Sequence, residues 1–342
     1  MGEAPAPAVS KNRTMTSCRA LGIAAAFAGA VVVGGCAASP PANPVLPAAS
    51  ATSWLTKSGT QQDLLYVANA SGTVSIFENG NSTLIGVLTK FSKPRGECAD
   101  SLGDVYITDY GTSKIDEYAR GGTKPINILD DSPNTPDACS VASSSGNLAV
   151  VSDPASRYGK GNLAVFKRGS GQPVFYSTGN EDHFVGCAYD KHGDLLTASE
   201  VGGFDYYVRF YYLPKGGSQL IEEDLTAPSQ RSSWSSVQGV VWDGKYWGIL
   251  SYNKIYRFTI NVAPQYIDTI TFSGSYGTLT APSVYRKTPK SKATQFVAAD
   301  SSFSGKSAAD YWTYPAGGTL IGRITKDLDS PTGTAISLAP RK

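Results

Sequence analysis

The sequence predicts an all-β chain folded as a six-bladed β-propeller, and four observations carry that expectation. Short β-type runs ending in an acid or amide recur along the 342 residues at spacings of 40, 44, 47, 51 and 49, the length of one four-stranded blade. The composition, with 36 Gly, 20 Pro, 19 Tyr and only 17% charged residues, suits many short strands joined by tight turns. Long amphipathic helical runs are missing after residue 60. Finally, the last segment reads as an innermost strand with no blade after it, while the first blade lacks one.

The elements follow in chain order. Residues 1–35 read as an export signal. Lys11, Arg13 and Arg19 precede the apolar, uncharged stretch ALGIAAAFAGAVVVGG at 20–35, a basic region followed by a short hydrophobic one. At 16 residues this stretch falls short of a comfortable membrane span, which takes roughly 20. The two Met residues are Met1 and Met15, and a start at Met15 leaves a compact signal. Val33-Gly34-Gly35-Cys36 resembles a bacterial lipobox, in which cleavage precedes the Cys and the Cys carries the lipid. That resemblance implies acylation (palmitate-type) of Cys36 and attachment at the cell envelope, in the outer membrane of a diderm cell because residue 37 is Ala and not Asp. Residues 36–60, rich in Ala, Pro, Ser and Thr without a period, read as a lipidated flexible tether.

Residues 61–342 read as the propeller. The repeating runs are Leu65–Asn69, Asp104–Asp109, Ala149–Asp153, Leu196–Glu200, the weaker Tyr246–Ser251, and Phe296–Asp300. A further strand follows each: Thr73–Phe77, Lys114–Tyr118, Asn162–Phe166, Tyr206–Tyr212, Lys254–Phe258 and Asp310–Tyr314. Gly-containing hairpins such as Arg120-Gly-Gly-Thr123 then lead to outer strands, the clearest being the similar hexapeptides Thr83–Leu88 and Thr319–Ile324. The inner strands fall around Gly96–Asp100, Ala138–Ala142, Gly186–Asp190, Gly239–Asp243 and Pro282–Arg286. Pro331–Leu338, whose start parallels Pro94-Arg-Gly-Glu, supplies the inner strand missing from blade one and removes an open sheet edge. This count gives six blades, with seven as the alternative.

Gly96-Glu-Cys-Ala-Asp-Ser-Leu-Gly-Asp-Val-Tyr-Ile-Thr-Asp-Tyr-Gly111 resembles an NHL-type repeat, and Gly186-Cys-Ala-Tyr-Asp-Lys-His-Gly-Asp194 repeats its first half. The resemblance runs over 62–342 but is strong in blades two and four alone. It implies a propeller and no single activity, since members are binding scaffolds, lactonase-like hydrolases or lyases.

Four constellations carry candidate chemistry. Asn69, Asp109, Asp153, Glu200 and Asp300 occupy repeat-equivalent positions at one level near one face. They read either as oxygen ligands for Ca2+ or another divalent cation or as side chains that bond nearby backbone. Cys98, Cys139 and Cys187 fall on three successive inner strands. They read as small buried hydrophobes, with one disulfide or a soft-metal site as alternatives. The two His residues are His183, beside Glu181 and Asp182 before blade four, and His192 at a turn. His183 reads as a solvated loop residue or a ligand contact and candidate base. Trp234, Trp242 and Trp247 in blade five and Tyr206, Tyr207, Phe210, Tyr211 and Tyr212 in blade four read as blade packing, or as a surface for sugar rings.

A net charge of +2 without charge runs gives no nucleic-acid face, and no GxSxG, HExxH, P-loop or CxxC motif is present. The expected function is a monomeric, envelope-anchored, non-enzymatic scaffold that binds a protein or other ligand. The alternatives are a metal-dependent lactonase-like hydrolase using the acidic ring and a glycan-binding module.

Overall fold

Aspartates shape the turn after the inner strand in blades two, four and five. Asp100 Oδ1 accepts the amides of Leu102 and Asp104 at 2.8 and 2.9 Å. Asp190 Oδ1 accepts those of His192, Gly193 and Asp194 at 2.7–3.0 Å. Asp243 does the same for Lys245 and Tyr246 at 2.8 and 2.7 Å. Each carboxylate stands in for backbone acceptors in a tight turn, which accounts for the recurring Asp and Gly of the repeat.

The computed structural model describes residues 53–55, 61–153, 160–178, 182–201, 207–227, 234, 236–260, 263–287, 292–302 and 304–340, with the side chain of Asp182 left aside. The export signal, Cys36, Glu181 and Tyr206 lie outside the described residues.

Six four-stranded antiparallel sheets form the blades. Blade one holds β1 (Leu64–Asn69), β2 (Thr73–Glu78) and β3 (Leu84–Leu88). Blade two is β4 (Pro94–Ala99), β5 (Val105–Asp109), β6 (Lys114–Tyr118) and β7 (Pro125–Asp130). Blade three is β8 (Thr135–Val141), β9 (Leu148–Asp153), β10 (Asn162–Phe166) and β11 (Val174–Tyr176). Blade four is β12 (Asp182–Tyr189), β13 (Leu195–Val201), β14 (Tyr207–Leu213) and β15 (Ile221–Glu223). Blade five is β16 (Gly239–Trp242), β17 (Trp247–Ser251), β18 (Lys254–Thr259) and β19 (Gln265–Thr271). Blade six is β20 (Thr278–Arg286), β21 (Ala293–Ser301), β22 (Ser307–Thr313) and β23 (Leu320–Ile324). The last strand, β24 (Pro331–Ser337), returns to blade one as its inner strand, in the order β24-β1-β2-β3. Its register runs from Leu64 opposite Ser337 to Ala68 opposite Gly333. The inner strands β24, β4, β8, β12, β16 and β20 are neighbours around a closed ring.

Second strands are buried along their whole length in β1, β5 and β17, because both faces of an inner sheet are covered by neighbouring blades. A continuous apolar run is the sequence form of that burial. Strand β22 begins three residues earlier than its repeat suggested, at Ser307. Ala308 and Ala309 have weak strand propensity, yet both are fully buried.

Crowding at the axis selects small residues. A Cβ on Gly96 would stand 2.6 Å from the Asp137 carbonyl oxygen and 2.7 Å from the Ala138 Cα. One on Gly333 would collide with the Arg95 carbonyl and lie 2.5 Å from a Glu97 carboxylate oxygen. The same closeness brings Cys98 and Cys139 to a Cα separation of 5.7 Å, and they form a disulfide between the inner strands of blades two and three. The expectation of three separate buried thiols is corrected for this pair. Adjacent inner strands lie within bridging distance, which is about 7 Å at most. Among the described residues Cys187 is the free cysteine, and it is buried.

Part of the expected tether is also docked. Ser53 forms a β-bridge with Gly122, and the Trp54 amide donates to the Gly121 carbonyl at 3.1 Å. The Trp54 ring lies against Gly86 of β3, where a Cβ would collide with it, and Leu55 covers Gly121. Gly121 in turn donates its amide to the Tyr66 hydroxyl at 2.7 Å. Trp54 and Leu55 thereby join the apolar layer between blades one and two.

Replacing Gly333 by Ala is expected to lower stability by ~1–3 kcal/mol, because the added methyl overpacks the seam where β24 closes the ring. Denaturant unfolding of the two chains, compared at unchanged m value, is the check.

Candidate functional site

The second strands end, and the inner strands begin, on one face of the disc. A cavity of about 430 Å³ opens there, and its lining draws on all six blades. At the opposite end the inner strands present Ala99, Val141, Val284 and Ile336 around a cavity of about 100 Å³. The wide end is the candidate with room for a small molecule.

Its lining obeys a rule of the repeat. Thr332, Arg95, Asp137, Val185, Gln238 and Ala281 all line the cavity, one from each blade. Each immediately precedes the small or cyclic residue that the crowded axis demands: Gly333, Gly96, Ala138, Gly186, Gly239 and Pro282. The scaffold thus requires one residue type and frees the position before it to face the channel. Four of the six positions are polar and two apolar, so the rim is chemically uneven.

The charged side lies over blades two to four, with Lys93, Arg95, Asp137 and Glu200 in the lining. Arg95 donates to Asp137 in a charge-assisted hydrogen bond, and its guanidinium rests 4.0 Å from the centroid of the Tyr110 ring. Lys93 sits 4.9 Å from the same centroid. His183 stands at the start of β12, opposite Glu200 in register, with its Nδ1 3.6 Å from Asp153 Oδ1. His183 therefore belongs to a strand and faces a carboxylate, which corrects its placement in a solvated loop. Burial pushes the Asp153 carboxyl up to about 6, helped by the negative fields of Asp137 and Glu200 and opposed by His183 and Arg95.

The five repeat-equivalent acids and amides do not act alike. Asn69 Oδ1 accepts the Asp329 amide at 2.9 Å, and its Nδ2 donates to Ser75 and Thr73. Asp109 accepts the amides of Ser92 and Lys93 at 3.0 and 2.7 Å and the Thr112 hydroxyl at 2.9 Å. Asp300 accepts the amides of Tyr276 and Gly277 at 2.6 and 3.1 Å and lies 3.5 Å from Arg323. In these three blades the side chain pins the loop that leads into its own inner strand. Glu200 instead reaches forward to Val237 and Ser236 of the loop entering blade five, at 3.2 and 3.4 Å. In blade three Ser152, one residue earlier, takes the pinning role by donating to Asp131 at 2.5 Å, and Asp153 turns to His183. Among the described residues no three His, Cys, Asp or Glu side chains stand close enough to share a metal ion. Among the described residues the convergent cation ring expected at Asn69, Asp109, Asp153, Glu200 and Asp300 is not assembled, because backbone amides take up oxygens of Asn69, Asp109, Glu200 and Asp300 and Asp153 turns to His183.

The tryptophans offered for sugar stacking are core residues. Trp234 is 5% exposed, packs at 4.9 Å and 5.2 Å centroid distance on Tyr256 and Phe210, and donates its indole N–H to the Leu225 carbonyl. Trp247 is 3% exposed and packs against Trp242 at 5.0 Å. Alternation along a strand allows either face, and here both rings fall between blades four and five. Arg95, Asp137 and Gln238 were not singled out from sequence, although their place before the inner-strand Gly or Ala was the available signal.

No family model and no curated protein matches the chain in sequence. Solved structures do. A chain of a nidogen/laminin complex aligns with TM-score 0.58 and 12% identity, over 82% of this chain and 100% of that one. A protein of unknown function from Bacteroides caccae aligns with TM-score 0.59 and 9% identity, over 81% and 99%. The Cps50 (Swd1) β-propeller domain of Myceliophteria thermophila aligns with TM-score 0.53 and 10% identity, over 82% and 88%. At these identities the likeness shows the fold alone.

A raised carboxyl value means that the folded chain holds a proton on Asp153 which the unfolded chain has already released, between the ordinary 3.8 and about 6. Stability from this group therefore falls as pH rises through that window, and the ionised carboxylate is a burden at neutral pH. Asp153→Asn is expected to raise the thermal midpoint at pH 7, with the gain vanishing near pH 4. Scanning calorimetry across that range checks it, and a gain that does not vary with pH would contradict the assignment.

Proposed function

We propose that the chain is a binding scaffold that takes a small ligand carrying one cationic group and several hydroxyl or amide groups into the mouth of its central channel. The observation that carries this reading is the six-residue rim of Thr332, Arg95, Asp137, Val185, Gln238 and Ala281, one position per blade, around a cavity of about 430 Å³. Its size falls within the range of small-molecule sites, roughly 300–1,000 Å³. Of the lining carboxylates Asp137 is matched by Arg95, whereas Glu200 adds its negative field to that of Asp137 at Asp153, a carboxyl raised first by burial and facing a histidine. An ammonium or guanidinium group in the cavity, beside the lining carboxylates Asp137 and Glu200, relieves that negative field and favours the ionised form of the neighbouring Asp153. Hydroxyls and an amide from Ser236, Gln238, Thr280, Ser301 and Thr332 complete the wall and suit the uncharged part of the ligand.

Titration calorimetry with putrescine, arginine and choline, set against sorbitol and citrate, tests the reading. At least one cation is expected to bind at pH 7.5. Asp153→Asn should weaken it about tenfold, and affinity should fall about tenfold per pH unit below pH 6 as Asp153 takes up a proton. Preference for citrate, or cation binding indifferent to Asp153, would overturn it.

The lipobox-like Val33–Cys36 and the NHL-like spacing of blades two and four belong to this proposal, which places the scaffold at the cell envelope on a lipid anchor. The Cys98–Cys139 disulfide supports an oxidising compartment. Mass spectrometry of the membrane-extracted protein is expected to find an acylated N-terminal Cys36, and Cys36→Ser should release the protein from membranes. An unmodified Cys36 within a longer chain would contradict the anchor and leave the ligand site untouched.

A further inference from the structure

We infer that the groove on the rim of the disc between blades three and four binds a neutral, hydroxyl-rich oligosaccharide. The outer strands of these two blades, β11 and β15, are three residues long, whereas those of the other blades, β3, β7, β19 and β23, run to five, six, seven and five. Outer strands this short leave the flank uncovered, and a cavity of about 440 Å³ opens there, lined by Phe175, Tyr176, Tyr211, Ser218, Gln219 and Glu222 among others. It shares no lining residue with the channel mouth.

The lining chemistry selects the ligand. Phe175 is 49% exposed, and among the described residues it has no aromatic partner within ring-stacking distance. A half-exposed ring offers an apolar platform of the kind that the C–H face of a sugar covers. Ser218 and Gln219 are exposed beside it, so hydroxyl and amide groups meet the ligand edge. The one carboxylate, Glu222, lies 3.6 Å from Arg209, which also donates to the Tyr207 hydroxyl at 2.9 Å. With that charge matched, the groove favours a neutral partner over an ionic one. Its floor is rigid: Tyr211 is buried against Phe184 at 6.0 Å, and the Tyr176 hydroxyl donates across the groove to the Gly217 carbonyl at 3.3 Å.

Titration of the full chain with cellotetraose and with chitotetraose, followed by calorimetry and by proton NMR of the sugar, tests the site. At least one probe is expected to bind, and Phe175→Ala and Gln219→Ala should each weaken it at least tenfold. The thermal midpoint should not move, because both side chains stand at the surface. Absence of binding by both probes at millimolar concentration, or binding that survives both substitutions, would overturn the inference.

Discussion

The structure depends on one strand pairing, that of β24 with β1. A ring of sheets is stable when no inner edge is left without partners, and this chain meets the requirement by sending its last strand back to its first blade. Leu64 to Ala68 are fully buried, and their pairing with Pro331–Ser337 joins segments more than 250 residues apart. Side chains extend the seam: Thr332 donates to the Pro94 carbonyl, Thr334 to that of Ala281, and Ser337 to that of Gly103. The closing strand therefore touches blades two and six as well as its own. Its cost is a loop closure across almost the whole propeller, which is entropically unfavourable and is offset only when all six blades are in place.

The channel mouth is a by-product of the same geometry. Six inner strands around one axis leave little room for side chains at one level, so Gly stands there in four blades and Ala138 and Pro282 in the other two. The residue before each is turned to the opening, where nothing in the scaffold restricts its chemistry. Pinning side chains at Asn69, Asp109 and Asp300 hold the loops around the opening, and blades three and four depart from that pattern. At those two blades Asp153 and Glu200 are redirected, His183 meets Asp153, and the Arg95–Asp137 pair adjoins them. Blades three and four thus depart from the structural repeat where Arg95, Asp137, Asp153 and His183 come together, and such departures are where function is expected.

Much of the fold was legible because the repeat is written in side-chain period and turn chemistry. Lys114–Tyr118 and Asn162–Phe166 have the bounds expected of them, and Pro331–Ser337 closes blade one as its resemblance to the Pro94 segment implied. What was not legible is distance between blades. The Cys98–Cys139 bond and the His183–Asp153 pair join different repeats, and Trp54 on Gly86 joins a segment outside the repeats to blade one; a period carries no information on how closely such segments approach. The acids and the amide of the ring stand at or next to equivalent strand ends, but Asn69, Asp109, Glu200 and Asp300 are partnered by backbone amides, which leave no trace in side-chain pattern. Trp234 and Trp247 were ambiguous for a related reason: alternation divides a strand into two faces without saying which face a neighbouring blade will cover.

Native-state hydrogen exchange tests the central role of the β24–β1 pairing most directly. Amides of β24 and β1 should exchange only through global unfolding, with the same free energy as the buried strands β5 and β17, so that opening the seam and unfolding the ring are one event. Exchange of β24 at a free energy well below that of β5 and β17 would show the ring standing with its seam open, and would contradict the account.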